Sequence, residues 1–435
     1  MFKRAIIVIL SVLVAGVLFV SCGNKNALKT ENEVVTLRFV IGGADLNYNK
    51  LVEEVCRNFE SKNPNIKIRF EPVSGQAYGQ KLLTMFASNT APDVFSLEAQ
   101  NLPSFIKRNA IVPLDSFIEK DKSLDVNMYY PAILEEFTWG GKIYSFTDSM
   151  SPSVVYYNKD LFDKAKIKYP SGNWTWNEFL EVAKKMTIKD ERGIVKQFGA
   201  ALYDNDVLYF VKAWGGSLWN KDKSKCVYDT PESRAGLQFL IDMILKYHVI
   251  PDLKDSSDQG SYEIFEGGRA GMFVGGRWYT VSFRKAKVNF GVCELPKGKI
   301  RISPISTHAW VISSQCKFPQ QSYEFIKYFC SEEVVKYMMA QGDCVPPIKK
   351  LAEMEFLKKD PNFPNEDNTA YIKTMAYAYP FKEYLHPDIS WSEVDQIVWA
   401  KNIDGVLLKK YDIATYTKMV QDQLNKLIGE KKTQK

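Results

Sequence analysis

Apolar and polar positions follow two spacings along the first part of the chain. Residues 34–40 and 66–70 alternate apolar and polar side chains, as β-strands do, and residues 92–96 form a third strand-like segment. Residues 48–61 and 76–88 repeat apolar side chains at helical spacing instead. A strand–helix–strand–helix–strand order predicts an α/β fold built on a parallel sheet with right-handed crossovers.

The same two spacings continue to the end of the chain. Residues 309–313 predict a strand, and the polar, proline-containing residues 353–368 predict a surface loop. Thr175 and Glu178 form the pattern of a capping box at the start of a helix. Helical spacing predicts further helices over residues 231–245, 320–330, 332–340, 371–379, 393–410 and 413–429.

Residues 262–278 combine a short strand with glycines on both sides. Ala270, Met272 and Val274 alternate with other residues as in a strand, and Trp278 follows just past its end. In open α/β sheets, ligands bind outside the carboxyl ends of the strands. Trp278 is therefore a candidate ligand contact, and the alternative is a tryptophan of the core.

The first 21 residues have the layout of a secretory signal. Lys3 and Arg4 precede an apolar run, which is too short for an ordinary membrane span. Cys22 follows the small residue Ser21, an arrangement that resembles a bacterial lipobox, with Phe19 where leucine is usual. The resemblance implies that Cys22 carries diacylglycerol and anchors the protein to the outer face of the cell membrane, with residues 22–33 as a tether. Plain secretion and an uncleaved anchor are the alternatives.

The size and charge of the remaining chain narrow its class. The 414 residues after the signal exceed what one core usually holds, so we expect two lobes. The 57 basic residues are scattered rather than clustered among 51 acidic ones, which argues against nucleic-acid binding. The seven cysteines follow no disulfide framework, and their pairing is left open.

Residue patterns of catalytic sites are missing from the sequence. None of His248, His308 and His386 lies three or four residues from another, so no helical metal pair exists. Neither a G-x-S-x-G elbow nor a phosphate-binding P-loop occurs. The sequence therefore predicts no catalytic residue, no metal and no cofactor.

Aromatic and planar polar side chains near predicted strand ends suit a sugar instead. An indole ring packs on the C–H face of a sugar ring, and carboxylates, amides and guanidinium groups bind its hydroxyls. Five other tryptophans, Trp139, Trp174, Trp176, Trp310 and Trp391, are expected to pack in the core, and Trp399 is a further candidate outside the chosen set. The predicted ligand-binding residues are Asp45, Glu98, Gln100, Asp148, Trp214, Trp219, Arg277, Trp278 and His308.

Residues 265–278 follow the pattern F-x-x-G-x-A-x-M-x-x-x-G-x-W, and residues 156–162 read Y-Y-N-K-D-L-F. Both motifs resemble those of the family 1 extracellular solute-binding proteins of bacterial carbohydrate ABC importers. Residues 91–94 read A-P-D-V, and residues 214–219 resemble a G-G-x-x-W loop. The chain departs from the family at residues 306–308, Ser-Thr-His, where a Gly-Gly pair is usual.

The resemblance implies the two-lobe periplasmic-binding-protein fold of class II, in which each lobe is a mixed sheet flanked by helices. The expected lobes are residues 34–147 with 294–345 and residues 148–293 with 346–430, joined by a hinge. Crossings are expected near residues 146–153, 290–295 and 344–348. The implied function of this monomer is to capture a sugar, in particular an oligosaccharide, by hinge closure and to deliver it to the permease of an ABC transporter.

Two other functions stay open from the sequence. A surface-attached carbohydrate-active enzyme, such as a glycosidase, requires two carboxylates facing one cleft at a defined separation. A sugar-sensing protein for a signalling partner binds its ligand in the same way as an importer component.

Overall fold

The computed structural model describes residues 34–43, 46–73, 78–202, 207–255 and 259–433. The predicted signal, the tether, Cys22 and Asp45 lie outside these residues. The strands are β1 Val35–Gly42, β2 Ile66–Val73, β3 Val94–Glu98, β4 Thr138–Trp139, β5 Lys142–Ile143, β6 Met150–Pro152, β7 Val154–Asn158, β8 Ile188–Lys189, β9 Val195–Leu202, β10 Ala270–Gly275, β11 Phe290–Cys293, β12 Ser303–Ile312 and β13 Ala378–Pro380.

Helices connect and cover these strands. Among the 3-10 turns is Phe381–Tyr384, and π-helical turns occur at Asp242–Lys246 and Gln396–Ile403. The α-helices are α1 Leu46–Lys62, α2 Tyr78–Ala87, α3 Leu102–Lys107, α4 Asp115–Ile118, α5 Pro131–Phe137, α6 Lys159–Ala165, α7 Trp176–Met186, α8 Val207–Ala213, α9 Pro231–Ile241, α10 Ser261–Glu266, α11 Tyr279–Lys285, α12 Pro319–Phe329, α13 Glu332–Met339, α14 Lys349–Met354, α15 Thr369–Thr374, α16 Trp391–Asp395, α17 Asp404–Leu407 and α18 Ile413–Thr433.

Two mixed sheets organise the fold. The first has the order β13-β12-β3-β1-β2, with β6 also paired to β12, and the second has the order β11-β7-β10-β9-β8. In the first sheet β1 is parallel to β2 and β3, whereas β12 runs antiparallel to β3. In the second sheet β10 is parallel to β9 and antiparallel to β7. These two sheets confirm the predicted α/β, two-lobe architecture.

Buried aromatic rings fill the core around each sheet. Phe39 of β1 contacts Trp310 of β12 and Phe325 of α12, with ring centroids 5.5 Å and 4.9 Å away. In the second sheet Val155 and Tyr156 are both fully buried but belong to different apolar clusters. Successive residues of a strand point to opposite faces, so this sheet is covered on both sides.

Sequence-based boundaries of the elements agree closely with the structure in most of the chain. The capping box is confirmed, because the Thr175 hydroxyl accepts from the Glu178 N–H and the Glu178 carboxylate accepts from the Thr175 N–H. The prediction of one helix over residues 371–379 is wrong at its end. There the chain leaves α15 and forms β13, whose residues Ala378–Pro380 pair with the open edge of β12. Pro380 lacks an N–H and is tolerated at such an edge.

The chain passes between the sheets through segments that lie side by side. Ser153 separates β6 of the first sheet from β7 of the second, as the predicted crossing over residues 146–153 requires. Its N–H donates to the Pro304 carbonyl at 3.1 Å, and Met150 exchanges backbone hydrogen bonds with Val345 at 2.9 Å and 2.8 Å. Strands β6 and β13 pair with the first sheet, although the expected lobe boundaries assign their residues to the second lobe.

Candidate functional site

A cavity of about 960 Å³ lies where the two halves of the fold face each other. One wall comes from the carboxyl ends of β1 and β3, from the middle of β12 and from residues 148–151 beside the crossing. A second wall comes from Trp278, just past β10, and from side chains of residues 381–399, and it joins the first wall where the turn Phe381–Tyr384 contacts β12. Side chains from both halves therefore meet in one space, of a size typical of ligand pockets.

The first wall carries polar side chains. Glu98 ends β3 and is exposed, and Gln100 donates its amide N–H to Glu98 Oε2 at 2.6 Å. His308 of β12 is the register partner of Glu98 and is exposed as well. The sequence predicts all three as ligand contacts, and the structure brings them together because β3 and β12 are antiparallel neighbours.

Asp148 is a buried carboxylate of the same wall, with 2% of its surface exposed. Trp310 Nε1 donates to Asp148 Oδ1 at 2.6 Å, which fixes the orientation of the carboxyl group. Burial raises the pKa of Asp148, while the hydrogen bond from Trp310 and the nearby His308 oppose the shift. Asp148 thus presents a positioned acceptor that a hydroxyl-rich ligand is suited to meet.

The second wall is mainly aromatic, although it also carries Asp395. Trp278, Phe381, Trp391 and Trp399 line the cavity. Trp391 packs edge-to-face on Phe381 and on Trp399, with ring centroids 4.7 Å and 5.6 Å away, and all three rings are half-buried. Such contacts hold the rings in place and leave part of their surface facing the cavity.

Three of the predicted site residues lie away from the cavity. Trp219 is 4% exposed and donates its indole N–H to the Tyr384 carbonyl at 2.7 Å, so it packs in the core. Trp214 packs against Phe239, with ring centroids 4.9 Å away. The sequence of the glycine-rich loop that carries both tryptophans does not indicate where their side chains point. In the structure both indoles pack against other parts of the protein and not against the cavity.

Arg277 is the third predicted residue outside the cavity, with 3% of its surface exposed. Its Nη1 donates to Asn368 Oδ1 at 2.7 Å, and the guanidinium lies 4.6 Å from the centre of the Phe356 ring. Its backbone N–H donates to Ser151 Oγ at 2.6 Å. Arg277 therefore connects the end of β10 to β6 and does not reach a ligand, in contrast to its neighbour Trp278.

The sequence missed several residues that line the cavity. Trp391 was expected in the core, and Tyr48, Asp343, Phe381 and Asp395 were not considered. One signal was available: Trp391 and Trp399 are eight residues apart, a spacing that places both on one face of a helix. Within the described ranges, no three His, Cys, Asp or Glu side chains are grouped so that they could hold a metal ion.

Residues 44–336 match the family of bacterial extracellular solute-binding proteins. The chain belongs to this family. The match runs from the segment after β1 to a point within α13, so it includes Glu98, Asp148, His308 and Trp278 of the cavity. None of the helices in the described ranges of this solute-binding protein is long and apolar enough to cross a membrane.

Relatives along nearly the full length have sugar ligands in their names. A maltooligosaccharide ABC transporter solute-binding lipoprotein of Streptococcus pneumoniae is 24% identical over 92% of both chains. A galactooligosaccharide-binding protein of Bacillus subtilis is 20% identical over 86% of this chain and 87% of its own. The structure of an ABC substrate-binding protein from Listeria monocytogenes in complex with cycloalternan superposes with a TM-score of 0.80, at 24% identity over 91% of this chain and 100% of the other.

Proposed function

We propose that this solute-binding protein captures an oligosaccharide in the cavity between its two sheets and presents it to the permease of an ABC transporter. The observation that carries the proposal is the division of the cavity into two unlike walls. Glu98, Gln100, Asp148 and His308 offer hydrogen-bonding groups on one side, and Trp278, Trp391 and Trp399 offer ring faces on the other. A sugar ring has the same division between its hydroxyl rim and its C–H face.

The cavity volume and the spread of the rings favour more than one sugar unit. Trp278 forms one stacking platform for a sugar ring on the aromatic wall. Trp391 and Trp399, which contact each other, form a second platform. Two platforms in a cavity of about 960 Å³ suit at least two rings of an oligosaccharide. The oligosaccharides named for the pneumococcal and Bacillus relatives support the same ligand class.

Binding is proposed to be coupled to hinge closure. A ligand that contacts both walls favours the closed arrangement, and it shifts the equilibrium by its difference in affinity for the two states. The crossing segments at Met150, Ser153, Pro304 and Val345 lie side by side, so a rotation is absorbed by few residues. The lobe boundaries at residues 147/148, 293/294 and 345/346 stay predictions of this proposal.

The location proposed for the protein is the outer face of the cell membrane. Membership of an extracellular family agrees with the signal-like residues 1–21. We propose that Cys22 is lipidated and that residues 22–33 act as the tether of a monomeric binding protein. A tethered receptor stays near the permease while both halves remain free to close on a ligand.

Thermal unfolding of the full chain in detergent, screened against a panel of oligosaccharides, tests the proposal. A ligand at 100 times its Kd stabilises the folded state by about 2.7 kcal/mol, which gives a measurable rise in Tm. We expect Trp278→Ala and Trp391→Ala to weaken binding of the responding sugar by about 30-fold each, as central aromatic contacts do. Trp214→Ala is the matched control, because Trp214 is also a half-buried tryptophan but lies outside the cavity.

The outcomes separate the proposal from the alternatives. Binding with the sugar recovered intact supports a receptor, whereas cleavage of the sugar during incubation supports a carbohydrate-active enzyme. A panel without any response contradicts the assignment of a carbohydrate ligand. Equal losses in the Trp214 and Trp278 variants place the ligand somewhere other than this cavity.

A further inference from the structure

We propose that the cavity selects uncharged sugars and rejects sugars that carry a carboxylate, sulfate or phosphate group. This inference rests on the proposed function and specifies the ligand class of the same cavity. Its basis is the charge of the lining. Among the described residues that line the cavity there are four carboxylic acids and one histidine but no lysine and no arginine; the acids are Glu98, Asp148, Asp343 and Asp395.

Basic side chains that flank the aromatic wall are turned elsewhere. Arg277 precedes Trp278, but its guanidinium is buried and lies against the Phe356 ring. Lys382 follows Phe381, and its Nζ donates to the Glu135 carbonyl at 3.2 Å and to the Thr138 carbonyl. Both cations are therefore held in the protein and are not presented to the cavity.

Lys223 approaches the same wall from behind. Its Nζ donates to the Lys382 and Leu385 carbonyls, at 2.8 Å and 2.6 Å. Burial lowers the pKa of Lys223 to about 8. Lys223 thus stabilises the backbone next to Tyr384 and does not line the cavity.

An anionic sugar meets two unfavourable conditions in such a cavity. Its charged group loses water without gaining a cation or a bidentate guanidinium, the usual partners of carboxylates and sulfates in proteins. It also approaches carboxylic acids of the lining, and like charges across an interface lower affinity strongly. Uncharged hydroxyls meet neither condition, because carboxylates accept hydrogen bonds from them.

Glu98 is the residue we assign to this charge selection. It is exposed at the end of β3 and is held by Gln100 at 2.6 Å, so its charge faces the cavity at a defined position. Asp148 is buried behind it and bonded to Trp310. A ligand anion therefore meets the exposed Glu98 carboxylate and not that of Asp148, whereas Asp343 and Asp395 are half-buried in the lining.

Matched ligands test the inference by calorimetric titration of the full chain in detergent. Each set contains a neutral oligosaccharide, the uronate with the same linkages, and the methyl ester of that uronate, which has similar bulk without the charge. The sets are galabiose with digalacturonate, mannotriose with trimannuronate, and maltotriose with its C6-oxidised form. We expect every uronate to bind at least about 100-fold more weakly than the neutral sugar that binds in its set, and the ester to recover most of that loss.

A variant pair locates the effect. We expect Glu98→Gln to raise the affinity for the uronate relative to the neutral sugar by at least about threefold, because one negative charge is removed. Glu53→Gln is the control, because Glu53 is an exposed acid of α1 outside the cavity, and it should leave the ratio unchanged.

The possible failures differ between the two proposals. A uronate that binds as tightly as its neutral partner overturns the charge selection and leaves the proposed sugar receptor standing. If the methyl ester binds as weakly as the uronate, the size of the added group and not its charge causes the discrimination. That result also overturns the charge selection. If no sugar in any set binds, the proposed function is contradicted, and the charge selection falls with it.

Discussion

Glu136 allows a test of how the burial of a carboxyl group changes the stability of this fold with pH. The side chain lies on α5 with 2% of its surface exposed, and its Oε2 accepts from the Lys382 N–H at 3.2 Å. Its Oε1 has no hydrogen-bond partner in the described part of the chain. Burial raises the pKa of Glu136 to about 7, and Lys382 opposes the shift while Glu135 adds to it.

A raised pKa for an acid makes the fold less stable as the pH rises. Below the unfolded value of 4.5, Glu136 is protonated in both states and contributes no pH dependence. Between pH 4.5 and 7 the unfolded chain ionises first, so the free energy of unfolding falls, and above pH 7 the loss is complete. A shift from 4.5 to about 7 corresponds to a loss of about 3 kcal/mol.

Replacing Glu136 by glutamine keeps the shape and removes the titration. We expect the free energy of unfolding of Glu136→Gln, relative to the unchanged protein, to rise by about 3 kcal/mol between pH 4.5 and pH 8. Urea unfolding followed by tryptophan fluorescence at several pH values measures this difference. Other buried titrating groups that do not interact with Glu136, such as Asp148 and His386, are present in both proteins and cancel in the comparison.

Glu135→Gln is the matched control, because Glu135 is the exposed neighbour on the same helix. Its stability difference should change much less over the same pH range, because the Glu135 charge is only the smallest of the causes given for the raised pKa of Glu136. Parallel curves for Glu136→Gln and the unchanged protein would refute the reasoning, because they would mean that the carboxyl group keeps its ordinary pKa in the folded state. Equal pH dependence in both variants would assign the effect to α5 as a whole and not to burial.

Two further substitutions test the packing of β9 against α7 and the proposed lipid anchor on Cys22. Gly199→Ala in β9 should lower the free energy of unfolding by at least about 3 kcal/mol, because a Cβ would lie 1.9 Å from the Ala183 carbonyl oxygen of α7. The control is Gly79→Ala in α2, where a Cβ meets nothing within 4 Å. In the same urea titration this control should be neutral or stabilising by up to about 1 kcal/mol. Cys22→Ser should remove the lipid mass that mass spectrometry detects on the unchanged protein, and an unchanged protein that carries no such mass would contradict lipidation.

Local patterns of the sequence were enough where neighbours along the chain determine the structure. The strand at Ala270–Gly275 and the placement of Trp278 past its end follow from alternation and glycines within one segment. The position of Glu98 past the strand-like residues 92–96 follows from the same kind of local pattern. These features depend on backbone periodicity, which the sequence carries directly.

The direction in which a side chain points and the pairing of segments far apart in the chain could not be predicted from the sequence. The loop at Trp214 and Trp219 looked like a ligand loop, but Trp219 is buried in the core and the half-buried Trp214 packs against Phe239. Trp391 reaches the cavity from a helix more than a hundred residues beyond Trp278, and its spacing from Trp399 indicates a shared helix face but not what that face contacts. Pairing of β13 with β12 likewise depends on an edge created by distant residues.

The late position of β12 in the chain determines the order in which the two sheets can be completed. The second sheet draws all its strands from β7 to β11, so its last strand is complete once residue 293 has been synthesised. The first sheet holds β1, β2 and β3 from the start of the chain, but the edge of β3 has no partner until β12 arrives, and β13 completes the sheet only at residue 380. The half that is synthesised first is therefore finished last, and its open strand edge has to be kept from foreign strands throughout export.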